Sequence, residues 1–279
     1  MSLTAEIWLT WSAVMAYALS TVLYIMGAVF GGKRVLLFAL VTASTGLTLQ
    51  TASFAIRWAR VGHAPYLGFY EVVAAYAFAT VATVVFLGWW RPQLRPLGAV
   101  LMPLALLAMG AALLADRSDE LSGGTLASWW LTVHVLFAKL SYSSFIVAFS
   151  LGVVFLLRER EGEHRLDAIL DRLPEQDVVD DLAYRAAAVG LVFLSVMIVA
   201  GAIWANEAWG RYWAWDAIET WSLVTWLVYS LVLHLRLTMG WRGKRSAWLY
   251  IVALPVVAFS FVIVPVVYDS IHAGYIRGM

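Results

Sequence analysis

Five histidines are the side chains of this 279-residue chain best suited to hold a metal: His63, His134, His164, His234 and His272. The chain has no cysteine, so thiolate ligation, disulfides and thiol exchange by its own side chains are excluded. His134 lies in the apolar run WWLTVHVLFAKLSY, about two helical turns and roughly 9 Å below its start. His272 follows the last apolar run, in YDSIHAGY, and is read at a similar depth. Two neutral imidazoles at one level can hold an iron porphyrin from both faces. A hydrogen-bonded helix histidine and an exposed tail histidine account for the same two residues without any ligand. His234 is about 17 residues into its own run, roughly 25 Å further in, and fits either a third iron ligand or a side chain snorkelling beside Arg236. His164, in the charged segment GEHRLD, reads as a solvated surface residue, and His63, in VGHAPYLGFYE, as a further ligand or a loop cap.

Between His134 and His272 lies WGRYWAWDAIETW, from Trp209 to Trp221. Trp209, Trp213, Trp215 and Trp221 are interleaved there with Arg211, Tyr212, Asp216 and Glu219. Flat rings at this density can form a shelf for a macrocycle, with Arg211 neutralising a carboxylate of it. The same rings also suit an interfacial aromatic belt, since Trp and Tyr collect at the headgroup level. Carboxylates are poor iron ligands beside imidazole, so Asp216 and Glu219 are expected to orient the stretch or a docking protein.

These residues must be positioned by membrane helices. A hydrophobic fraction of 62% and a mean hydropathy of +0.80 exclude an ordinary soluble domain, in which about half the residues are apolar. The net charge of +1 gives no reason to expect nucleic acid. The apolar runs predict an all-α, polytopic integral membrane protein with about eight spans, each near the 20 residues needed to cross the hydrocarbon. The expected spans are Glu6–Phe30, Val35–Ile56, Phe69–Trp90, Leu97–Ala115, Ser128–Leu157, Leu182–Trp204, Ala217–Leu237 and Trp248–Tyr268. The start of the chain lacks a basic region with a cleavage site, so the first run is expected to remain as a helix. A charged loop over about 158–181 is read as inner, partly a short surface helix, and the tryptophan-rich loop over about 205–221 as outer. Thirteen basic residues fall on one side of this layout and five (Arg57, Arg60, Arg117, Arg211, Arg277) on the other. The positive-inside rule then puts both termini and the tryptophan stretch outside. Without repeats or linkers, residues 1–279 read as one domain. The segments GLTLQTAS and KLSYSS carry small and hydroxyl residues of the kind that pack between membrane helices.

The stretch WGRYWAWDAIETW, followed by a run ending in LVLHLR, resembles the tryptophan-rich WWD signature of haem-handling proteins in cytochrome c assembly. GHAPYLGFYE, WLTVHVLFAKLSY and the terminal IHAGY are similar to the CcsA (ResC) type of System II within that superfamily. One departure is Ala217-Ile218, where the family usually has Pro-Lys. The resemblance implies delivery of haem b, as a transported substrate, for covalent attachment to the CXXCH motif of apocytochrome c. It implies His134 and His272 as outer axial ligands and His234 as part of an inner uptake site completed by a CcsB/ResB-type membrane partner. It further implies a multi-pass protein of a bacterial-type plasma (inner) membrane, the membrane subunit of a thioether-forming holocytochrome c synthase acting at the outer face.

Three alternatives remain open on the residues. A System I CcmC-like protein would deliver haem to a chaperone and have fewer spans. A b-type electron-transfer protein would pair histidines at matched depth, and His234 has no such partner. A solute transporter would show paired intramembrane charges, for which Lys139 is the strong candidate.

Overall fold

The computed structural model describes residues 2–64, 68–115, 128–159 and 175–268. All elements among them are helical: α1 (Leu3–Val29), α2 (Lys33–Val61), α3 (Gly68–Trp90), α4 (Gly98–Leu113), α5 (Trp129–Glu159), α6 (Gln176–Trp209), α7 (Ala217–Met239), α8 (Lys244–Ala258) and α9 (Val264–Val267). A 3-10 turn, Pro92–Leu97, leads into α4, and a π turn, Phe259–Ile263, joins α8 to α9. Seven helical segments among the described residues are long and apolar enough to cross a membrane. The eighth expected span is helical from 244 to 267 but is broken into three pieces. Pro265 has no N–H to return to the carbonyl one turn earlier, which accounts for a break at this point.

The chain is a polytopic all-α membrane protein. It divides into two compact units, the first containing α1 to α4 and the second most of α5 together with α6 to α9. In the first unit α1 is polar inward and apolar outward. Glu6, Thr10, Tyr17 and Ser20 are buried, whereas Trp8, Met15 and Leu19 are exposed. In lipid the buried hydroxyls and amides, rather than hydrophobicity, join the helices. Tyr17 lies against Gly46, where a Cβ would come within 2.6 Å of its ring, and donates its hydroxyl to Gln50 at 2.7 Å. Gln50 passes the link to the Ala74 carbonyl at 2.9 Å. The expected packing role of GLTLQTAS is therefore seen in Gly46, Gln50 and Ser53. KLSYSS acts likewise in the second unit, where Ser141 donates to the Gly190 carbonyl at 2.8 Å.

Two expected boundaries shift. Helix α6 starts at Gln176, so the last residues of the charged 158–181 segment, including Asp177, Asp180 and Asp181, are helical. It also runs on to Trp209, and α7 starts at Ala217, which shortens the tryptophan-rich loop to 210–216. Asp177 in the first turn of α6 and the absence of Pro or Gly between Trp204 and Trp209 allow both extensions.

Candidate functional site

His134 and the tryptophan stretch belong to the second unit. Its Nδ1 lies 2.9 Å from the Met197 carbonyl oxygen on α6. A carbonyl only accepts, so Nδ1 carries the proton and the lone pair sits on Nε2. This is the tautomer of an iron-ligating imidazole, and a carbonyl partner at Nδ1 fixes the ring and raises the basicity of Nε2. Gly201 makes the approach possible, because a Cβ there would come within 2.5 Å of Nδ1. Sequence reading missed Met197 and Gly201. The signal was a glycine in an otherwise bulky apolar run, facing the only histidine of the neighbouring helix.

From Gly201, helix α6 rises toward the stretch, reaching Trp204 after about 4.5 Å and Trp209 after about 12 Å. Trp204 is buried, and its ring meets that of Trp209 edge to face, 5.0 Å between centroids at 66°. Gly210 ends the helix with φ +73, donating its N–H to the Asn206 carbonyl at 2.9 Å. The rings of Trp213 and Trp215 stand at 85° with centroids 5.8 Å apart. Trp221, in the first turns of α7, packs on Phe259 of the π turn at 4.5 Å.

Two features of this loop oppose stability. Trp215 is the one non-glycine residue with positive φ among those described, +58, and its ring is 71% exposed. Such a conformation costs about 1–2 kcal/mol. The Trp213 indole N–H is buried without an acceptor among the described residues, at a cost of roughly 1–3 kcal/mol. Costs of this kind persist where the surroundings enforce them, and they cluster at ligand sites.

Glu219 supplies the enforcement. One of its carboxylate oxygens accepts the backbone N–H of Ala214 at 2.8 Å and of Asp216 at 3.2 Å. Asp216 is the N-cap of α7, and the two acids form a capping box. The N-terminus of α7 is thus filled by the protein's own carboxylates, while Arg211 and Tyr212 are exposed on the loop. Ala217-Ile218 leaves this cap intact.

His234 is elsewhere on the unit. It is exposed on α7, sharing a hydrogen bond with the Thr238 hydroxyl at 3.3 Å. Along α7 it is about 25 Å from Ala217. What distinguishes the two histidines is facing, inward for His134 and outward for His234. His272 and His164 lie outside the described residues. His63 belongs to the first unit, where its Nδ1 meets the Ala64 carbonyl at 3.0 Å and lies 3.7 Å from Glu71.

That neighbourhood overturns another expectation. Glu6, Arg57 and Glu71 are buried charges on α1, α2 and α3, with Arg57 bridging both acids and Arg60 holding the second oxygen of Glu6 at 2.9 Å. Lys139 is therefore not alone as an intramembrane charge, and Arg57 and Arg60 are helical rather than in a loop. Their legible signal was two isolated acids in apolar runs at the same end as two arginines.

The family model described as "Cytochrome C assembly protein" matches residues 66–272. A protein of Parasynechococcus marenigrum (strain WH8102) described as cytochrome c biogenesis protein CcsA is 33% identical over 258 residues, covering 82% of this chain and 84% of its own. A protein of the same description from Guillardia theta is 31% identical, covering 91% and 89%. Among solved structures, a chain described as cytochrome c haem lyase CcmF matches with a TM-score of 0.70 at 18% identity. It covers 97% of this chain but 48% of its own length, and the likeness is one of fold.

Proposed function

This chain belongs to the cytochrome c assembly protein family, and from that premise we propose that it delivers haem for covalent attachment to apocytochrome c. It is a multi-span membrane protein of cytochrome c biogenesis, and haem is its cargo. In our reading the cargo is haem b, attachment takes place at the outer face of a bacterial-type plasma membrane, and a CcsB-type partner completes the complex as a System II synthase. The observation that carries this reading is His134, held against Gly201 in its Nε2 lone-pair tautomer about 12 Å along α6 from a rigid tryptophan loop.

The residues divide the work. His134 supplies one axial nitrogen and His272 the other. Trp209, Trp213, Trp215 and Trp221 form the shelf, and the buried Trp213 N–H suits an acceptor oxygen on the cargo. Arg211 neutralises a propionate in water. Asp216 and Glu219 hold the loop's shape and leave the iron to imidazole. Each substrate thiol adds across a haem vinyl, sulfur to the inner carbon and hydrogen to the outer one. This addition involves no net oxidation, so the chain needs no thiol of its own. His234, exposed on α7, is suited to a ligand shared with the partner during uptake.

Trp213→Leu with Trp215→Leu keeps apolar bulk but removes flatness and the orphan N–H. Co-purified with its partner, this variant is expected to lose most of its haem and of its cytochrome c yield. Normal values for both would reduce the stretch to an interfacial belt. His234→Ala is expected to deplete haem bound at His134 although nothing there has changed, with exogenous haem restoring cytochrome c yield. Normal haem content in that variant would remove the uptake role.

A further inference from the structure

At the end of the second unit opposite the tryptophan loop, a cavity of about 600 Å³ opens among the end of α5, the start of α6, the end of α7 and the α7–α8 turn. Its volume is in the range of small-ligand sites. Its charged lining is Asp177, Asp180, Asp181, Arg236 and Arg242, three acids and two arginines. Several of these are already engaged. Asp180 takes both terminal nitrogens of Arg236, at 2.9 and 2.8 Å, and the Gly243 N–H at 3.1 Å. Asp181 pairs with Arg185 at 2.7 Å. Asp177 and the Arg242 guanidinium remain, exposed and without a partner among the described residues.

The lining therefore offers one cation and one anion. Phe155 and Tyr184 add an apolar wall, and Leu237, 68% exposed, carries it onto the outward surface of α7. Haem does not suit this cavity, because its two carboxylates would share one unengaged cation, Arg242, and face the unengaged Asp177. A purely anionic headgroup would satisfy Arg242 and leave Asp177 opposed. A group with one phosphate and one primary ammonium satisfies both, and an acyl tail attached to it would follow Leu237 into the bilayer. We propose that this cavity binds the headgroup of an ethanolamine phospholipid, its phosphate on Arg242 and its ammonium on Asp177. The cavity is distinct from the tryptophan loop and His134, and Arg236 and Leu237 of its lining follow His234 on α7.

The test uses the purified full-length protein, exchanged with equal amounts of phosphatidylethanolamine, phosphatidylcholine and phosphatidylglycerol, with retained lipid counted by native mass spectrometry. Phosphatidylethanolamine is expected to be retained about tenfold over phosphatidylglycerol, the ratio one charge-assisted hydrogen bond sustains. Asp177→Asn should abolish that preference, and Arg242→Gln should weaken retention of all three. Both side chains are exposed, and an unchanged melting curve checks the fold of each variant. Equal retention of the three lipids by the unaltered protein, or a preference surviving both substitutions, overturns the proposal. Soluble glycerophosphoethanolamine should compete only weakly. Competition matching the intact lipid would overturn the bilayer as source and keep the chemistry.

Discussion

Arg57→Ala is expected to destabilise the first unit by about 3–5 kcal/mol, the effect of removing one partner from a buried charge pair. Glu6 and Glu71 are 0% and 1% exposed, and Arg57, itself 3% exposed, is an ion-pair partner of both. Its loss leaves two carboxylates in a membrane helix bundle with Arg60, which holds Glu6, as the remaining arginine of the network. Arg60→Ala should be much milder, because that side chain is 19% exposed and Glu6 keeps Arg57. Arg57→Met combined with Glu71→Gln should recover much of the loss, since neutral isosteres remove the unpaired charge. Thermal unfolding in detergent, followed by helical circular dichroism, decides the point. A midpoint for Arg57→Ala equal to that of Arg60→Ala would show the network to be dispensable.

Gly201→Ala is expected to leave the fold nearly intact while disabling the ligand on the neighbouring helix. The added Cβ would come within 2.5 Å of His134 Nδ1 and 2.8 Å of Cε1. These atoms end a rotatable side chain, so the ring swings away rather than the helices parting. The hydrogen bond to Met197 is then lost, and with it the fixed tautomer. Disturbing the group that orients a metal-ligating histidine typically weakens the metal 10–100-fold, and haem retention should fall by about that factor. Full haem retention in this variant would mean that the Met197 contact does not orient a ligand.

How much of this was legible before folding depended on the kind of signal. The spans could be read because apolar length is a property of single segments. His134, His234 and the tryptophan stretch could be singled out because polar or aromatic side chains are conspicuous in such runs. The hand of Gly201 could not be read, since its meaning arises only when α5 crosses α6 at that residue. For Arg57 the charges stood out but their pairing could not be read, because its acids lie 51 and 14 residues away in sequence on α1 and α3. The end of α6 was misplaced for a local reason: the helix continues through Trp204 to Trp209, where aromatic residues had suggested a loop. The π turn near Phe259 was invisible because a proline near a helix end does not reveal how the neighbouring carbonyls rearrange.

The account rests on His134 as an axial ligand whose Nε2 faces the cargo. The direct measurement is the visible absorption spectrum of His134→Gly, co-purified with its partner, recorded before and after adding imidazole. The account predicts a haem band much reduced without imidazole and largely restored with it, because the free base fills the position that the side chain has left. A band of normal intensity and position in His134→Gly without imidazole would contradict it.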